Sequence, residues 1–227
     1  MKMKWFIVAL LLLPGVGFAQ KKSAAALQME QLGLINIAEM DPSIRVDLMY
    51  AKADNFTGRI LYTDLREAYL HPDVAQALLQ AQNLLRKIHP SYRLFVCDAS
   101  RPMSIQQVLW DTVKGTPSEN YASNPAKGGG THNYGFAVDV TIYDILLQDT
   151  ITMGVKVDHL FSESNIDKED ELVRTGKISA AAKANRELLR YVMTQAGYRP
   201  LRSEYWHFNY KGYNRDWLRA HGYKPIK

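Results

Sequence analysis

The sequence predicts an α+β fold: a single domain, residues 20–227, with a central antiparallel sheet flanked by helices. Three observations lead there. Phe136, Val138, Val140 and Ile142 alternate with Ala137, Asp139 and Thr141, the period of a strand with two unlike faces. Ser203 to Tyr210 is rich in aromatic residues and reads as a second strand. Pro72 to Ile88 and Ser179 to Ala196 each carry an apolar stripe at helical spacing. A chain of 227 residues with 47% hydrophobic and 22% charged residues supports one well-buried core rather than two.

Taken in order, Met1 to Ala19 reads as a secretory leader. Lys2 and Lys4 precede the apolar run Trp5 to Leu13, and Gly17-Phe18-Ala19 offers small residues before Gln20. That run is too short to span a bilayer, and no cysteine stands at the cleavage point to carry a lipid, so the sequence predicts export, to a periplasm, without a stable membrane anchor. Losing Lys2 and Lys4 lowers the net charge from +5 to +3, which is too mild to argue for nucleic acid. Cys97, the only cysteine, cannot form an internal disulfide and reads as a small buried residue.

Gln20 to Gln31 is polar and alanine-rich and reads as a loose lead-in. The alternation of Ile44 to Tyr50 suits an early strand, and Ala53 to Gly58 is a turn-rich loop. The helix over Pro72–Ile88 ends at His89-Pro90, and Leu94 to Cys97 is a short buried strand. Asp98 to Pro102 turns out of it, and Ser104 with Gln107 offers a capping box for a helix through Val113. Thr116 to Gly130 is a polar loop ending in glycines, and Tyr143 to Thr152 reads as a hairpin. Phe161 to Lys177 is charged and reads as a surface excursion. Ser179 to Ala196 turns Ala184, Leu188, Tyr191 and Val192 inward, with Gly197 closing it. Asn214 to Tyr223 reads as a short terminal helix.

The chemistry concentrates around the central strand. Asp139 is a carboxylate among apolar and β-branched residues, where an unpaired charge is costly. His132 lies seven residues upstream, with Gly135 between them to let the chain fold back, and His207 stands in the aromatic strand. Singly, each is readable as a core histidine, or as an aspartate paired with an arginine. Together, two histidines and a carboxylate form the ligand set of a divalent metal with one position left for water. Glu204, three residues before His207, is a candidate base. Strand parity then requires Glu204 to sit on a bend before the strand, with only His207 inside it.

Two ordered motifs, His132-x-x-Gly135-x-Ala137-x-Asp139 and Glu204-x-Trp206-His207, resemble those of the zinc D,D-peptidases. Within that group the chain is most similar to the D-alanyl-D-alanine dipeptidases, which include the vancomycin-resistance enzymes. The likeness extends to Tyr50 and Asp54-Asn55-Phe56, to Arg101-Pro102, and to Met153-Gly154 followed by Asp158. The resemblance implies a hedgehog/D,D-peptidase-like fold and Zn2+ held by His132, Asp139 and His207. It also implies catalysis by Glu204 and Arg101, with Asp158 and Tyr50 beside a small D-Ala-D-Ala-type substrate. Arginine suits the task of steadying charge on the scissile carbonyl, since it stays ionised and donates in a fixed fork. One departure stands out. The vancomycin-resistance enzymes have a serine two residues before the first ligand, and here that position is Gly130. Backbone amides of the glycine run offer one replacement and a more open carboxyl side another. A D,D-carboxypeptidase or endopeptidase acting on longer stem peptides, and a non-catalytic domain binding cell-wall peptides, are the alternatives. The sequence leaves the oligomeric state open.

Overall fold

The computed structural model describes residues 22–227, so the leader predicted over residues 1–19 lies outside the described residues. The chain enters through α1 (Ala24–Gln31), capped by the Ser23 hydroxyl and anchored by the buried Ala26 and Met29. This corrects the loose lead-in expected there. Two buried side chains on a short alanine-rich segment leave too faint a stripe to read from the sequence. A small ribbon of β1 (Ile35–Asn36) and β3 (Tyr69–Leu70) brackets the short α2 (Ile37–Met40) and β2 (Arg45–Val46).

The strand expected over Ile44–Tyr50 is only β2. The chain then bends, and a 3-10 turn at Met49–Ala51 carries Tyr50 inside, where it is 2% exposed. Next come α3 (Pro72–Ile88), with the bounds expected, β4 (Tyr92–Asp98) and α4 (Met103–Val113). The Ser104–Gln107 capping box does not form. Pro102 leads the helix with no side-chain cap, and Gln107 instead donates to Asp111 one turn on. β5 (Ala137–Asp144) and β6 (Asp149–Thr150) make the expected hairpin. After it come α5 (Glu169–Arg174), α6 (Ala180–Gln195), β7 (Tyr198–Leu201), β8 (Glu204–Tyr210) and α7 (Arg215–Ala220).

The main sheet has the order β2-β4-β5-β8-β7, with β6 added to the far end of β5. Its pairs are antiparallel except β2 with β4, which run parallel. Val138, Val140 and Ile142 are fully buried on one face of β5, while Ala137, Asp139 and Thr141 lie on the other. Both faces of this strand are therefore covered, as its near-continuous apolar composition requires.

α6 is rotated from the stripe expected. Ala182, Arg186, Leu189, Val192 and Met193 face inward, whereas Ala184 and Tyr191 are exposed. The cause is Arg186, an arginine no hydrophobic stripe would count. Its Nε donates to the Met153 carbonyl at 2.7 Å, its Nη1 to that of Glu163 at 3.0 Å, and its guanidinium lies 4.4 Å from the Tyr205 ring centre. The excursion from Phe161 to Lys177 is likewise tied down. Glu169 is buried and accepts two bonds from Arg190, at 3.1 and 2.7 Å.

Candidate metal centre and peptide cavity

β5 and β8 pair with Ala137 opposite Asn209 and Asp139 opposite His207, which sets the carboxylate beside the imidazole. His132 arrives from the 3-10 turn Thr131–Tyr134, closed by Gly135 at φ 76°. A β-carbon at Gly135 would stand 2.9 Å from a Leu34 methyl, so glycine is required there by both backbone and space. Asn133 stitches the turn in place: its amide nitrogen donates to the Arg101 carbonyl and its oxygen accepts from Gly130 N–H, both at 2.8 Å.

Three atoms converge. His132 Nε2 lies 3.1 Å from His207 Nδ1, His207 Nδ1 lies 3.0 Å from Asp139 Oδ1, and Asp139 Oδ1 lies 3.3 Å from His132 Nε2. The far nitrogens fix the tautomers. His132 Nδ1 is 2.6 Å from the Ala99 carbonyl oxygen and His207 Nε2 is 3.1 Å from Asn209 Oδ1, so each must donate there. Both inward nitrogens are then lone pairs, and a carboxylate oxygen completes a triangle of three acceptors with no proton among them. Such a triangle repels itself unless a cation sits between its corners. Its edges are close to the roughly 3.3 Å expected between ligands about 2.0–2.1 Å from a tetrahedral ion. The second-sphere carbonyl partners are those that metal-binding histidines ordinarily use. The residues fit a divalent metal.

Asp139 shows the same demand for positive charge. Burial opposes its ionisation, but positive charge at this corner, carried by the His132 and His207 rings when no metal is bound, outweighs burial and holds the carboxyl far below the usual range. Glu204 behaves oppositely. Burial pushes it up to about 7, with His207 opposing and Asp139 and Asp158 adding, and it accepts no hydrogen bond among the described residues. It lines the same cavity as His207, although three residues separate them. Pro200 pairs with Phe208 while its neighbour Leu201 pairs with Glu204, so β8 carries three extra residues, Tyr205 to His207, in a multi-residue bulge. Glu204 therefore opens the strand rather than preceding it, and the bulge resets the parity that would have turned it away.

Arg101 is buried and clamped. Its Nε and Nη2 donate to Asp98 Oδ2 at 2.9 and 2.6 Å, and its Nη1 donates to Gln106 Oε1 at 2.9 Å. Its guanidinium carbon lies 5.1 Å from the Tyr50 ring centre, and Nη2 is 3.7 Å from Asp139 Oδ2. Asp98, which also accepts from the Tyr62 hydroxyl at 2.8 Å, thus orients the arginine. Asp158 accepts from the Tyr50 hydroxyl at 3.1 Å and from Phe56 N–H at 2.8 Å, and burial raises it to about 7 against those bonds. All seven sequence-predicted site residues line one cavity of about 480 Å³. Gln106, Tyr62 and Asn209 were not foreseen. Only Asn209 left a signal, two residues beyond His207 and so on its strand face. His71 and His89 lie outside the cluster.

Together these features make a candidate metal centre: a buried two-histidine, one-carboxylate triad, with a carboxyl of near-neutral pKa and a fixed arginine facing one cavity. The family model for D-ala-D-ala dipeptidase matches residues 30–221, and the chain belongs to that family. It is 30% identical over 175 residues to the D-alanyl-D-alanine dipeptidase of Escherichia coli K12, spanning 77% of this chain and 83% of that protein. The D-alanyl-D-alanine dipeptidase of Enterococcus faecalis is 29% identical over 195 residues, spanning 78% of this chain and 90% of its own length.

Proposed function

We propose that the protein is a zinc-dependent dipeptidase that hydrolyses D-alanyl-D-alanine or a closely related D-amino-acid dipeptide. The triangle of three proton-free acceptors carries the reading, since it needs a cation and leaves room for a water. Two histidine nitrogens and one carboxylate oxygen suit zinc. When bound, zinc supplies Lewis acidity and brings the pKa of a coordinated water towards ~7.

The chain's own residues do the rest. Water adds through its oxygen to the scissile carbonyl carbon while Glu204 takes one of its protons; near-neutral basicity suits that transfer. Arg101 faces the carbonyl oxygen and, being held by Asp98 and Gln106, needs no reorganisation as charge develops there. As the carbon–nitrogen bond breaks, Glu204 passes its proton to the departing amine. Asp158, ionised, receives the ammonium group of the substrate. A purely peptide-binding domain would have no use for an unbonded carboxyl such as Glu204. The apolar run near residue 1 supports export, which would bring the enzyme to cell-wall peptides.

Glu204→Gln tests the mechanism. The variant should retain one zinc per chain by metal analysis and lose at least about 100-fold in turnover. Near-normal turnover would remove Glu204 from this role. The substrate reading is tested by comparing D-Ala-D-Ala with N-acetyl-D-Ala-D-Ala and a stem pentapeptide. Equal cleavage of free and blocked dipeptides would overturn the dipeptidase reading in favour of a carboxy- or endopeptidase.

A further inference from the structure

The glycine run before His132 has no amides to spare. Gly128 N–H is bonded to the Pro125 carbonyl at 2.8 Å, Gly129 N–H to that of Asn124 at 3.2 Å, and Gly130 N–H to Asn133 Oδ1 at 2.8 Å. An anion entering beside this run would not be met by its glycine amides, which leaves the role to neighbouring groups. Two are in place. A β-carbon built on Gly130 would stand 2.7 Å from Ser123 Oγ and 3.2 Å from Ser123 Cβ, so the Ser123 side chain fills the space that a side chain at 130 would take. Its carbonyl accepts from Gln106 Nε2 at 2.9 Å, while its hydroxyl makes no hydrogen bond among the described residues.

The second is Arg215, the first residue of α7. Its Nε donates to Asp216 at 3.0 Å and its Nη1 to the Gly129 carbonyl at 3.3 Å, leaving Nη2 without a partner among the described residues. Both residues line the cavity of the metal triad, on the wall formed by Gly129, Gly130 and Asn209. Asp158 belongs to the other wall, with Tyr50 and Phe56. The cavity is thus polar throughout, with the Asp158 carboxyl in one wall, Arg215 with its partner Asp216 in the other, and the metal triad in the same lining. A free dipeptide is a zwitterion, and Asp158 and the free Nη2 of Arg215 offer one group for each of its charges.

We propose that Arg215 and the Ser123 hydroxyl form the carboxylate-binding end of the cavity, selecting peptides whose free C-terminal carboxylate lies one residue beyond the cleaved bond. The inference rests on the dipeptidase reading and adds to it the residues that recognise the leaving half. Arg215 supplies the charge-assisted donor and Ser123 a second, shorter one. Neither touches the reacting atoms, so both act on substrate affinity more than on turnover.

The test uses the full zinc-loaded chain with D-Ala-D-Ala and its C-terminal amide, in the wild type, Arg215→Gln, Ser123→Ala and Arg219→Gln. Arg219 packs near Gly128 but lies outside the cavity lining, so it controls for loss of bulk positive charge. Arg215→Gln should lower the acid-to-amide ratio of kcat/KM at least about tenfold, mainly through KM for the acid, with a smaller fall for Ser123→Ala and none for Arg219→Gln. An unchanged ratio in Arg215→Gln, or an equal fall in Arg219→Gln, would overturn the proposal. Calorimetric binding of the acid and the amide to Glu204→Gln, with and without Arg215→Gln, gives the same ratio without turnover. If the wild type fails to cleave D-Ala-D-Ala, the proposed function falls, and this binding ratio still decides the role of Arg215.

Discussion

Asp158→Asn should make the metal-free protein more stable at pH 8 and not at pH 4. Asp158 is 9% exposed, and burial raises its pKa from 3.8 to about 7 despite bonds from Phe56 N–H and the Tyr50 hydroxyl. A raised carboxyl stabilises the fold as the neutral acid. That contribution is complete below about pH 4, where the unfolded chain is also protonated, and is lost as pH climbs through about 7. A rise of about three pH units corresponds to roughly 4 kcal/mol at 1.36 kcal/mol per unit, which is a ceiling on the gain. Asparagine is neutral throughout. Its oxygen accepts from Phe56 N–H, its nitrogen donates to the Tyr50 oxygen, and it tolerates the left-handed φ of 73° at this position. Urea unfolding of chelator-treated wild type and variant between pH 4 and pH 8 measures the difference. It should grow with pH, by one to a few kcal/mol. A difference that stays flat, or a variant weaker at pH 8 than at pH 4, would refute the reasoning. The same variant should bind free dipeptide poorly, which would show the stability given up to keep a buried charge in the cavity.

Asn209→Leu removes the acceptor that fixes His207 with its proton outward, and should weaken zinc affinity by about 10–100-fold in chelator competition while the secondary structure is retained. Arg186→Ala removes a buried guanidinium bonded to the Met153 and Glu163 carbonyls and leaves those carbonyls without it. We expect a loss of about 3 kcal/mol or more, read from the urea midpoint.

The two motifs were legible because each residue in them meets a demand the backbone makes visible. Gly135 is required by a positive φ, and the near-continuous apolar residues around Asp139 by a strand buried on both sides. α3 was legible to its ends because Pro72 starts it and His89-Pro90 stops it. What escaped depended on partners distant in sequence. Tyr50 lies inside because Asp158, 108 residues on, meets its hydroxyl, and no local pattern marks the 3-10 turn that brings it there. Arg186 hid the true face of α6, since a charged residue is counted as solvent-facing until its acceptors are known. Gln106 joins Arg101 to the Ser123 carbonyl across two loops, and nothing near it in the sequence announces an amide with that duty.

The bulge in β8 connects these levels most directly. On a regular strand, Glu204 and His207 would face opposite sides of the sheet, and no single cavity would hold both. Three residues between Phe208 and Glu204 that lack partners in β7 remove that conflict, at the cost of ladder bonds to that strand. The carboxyl that results is buried with no donor, which is why it stays near neutrality in pKa. Asp139, equally buried but facing positive charge at the corner it shares with His132 and His207, is driven the other way. Environment alone thus separates two carboxyls of one cavity into a permanent anion suited to a metal and a group able to take and return a proton.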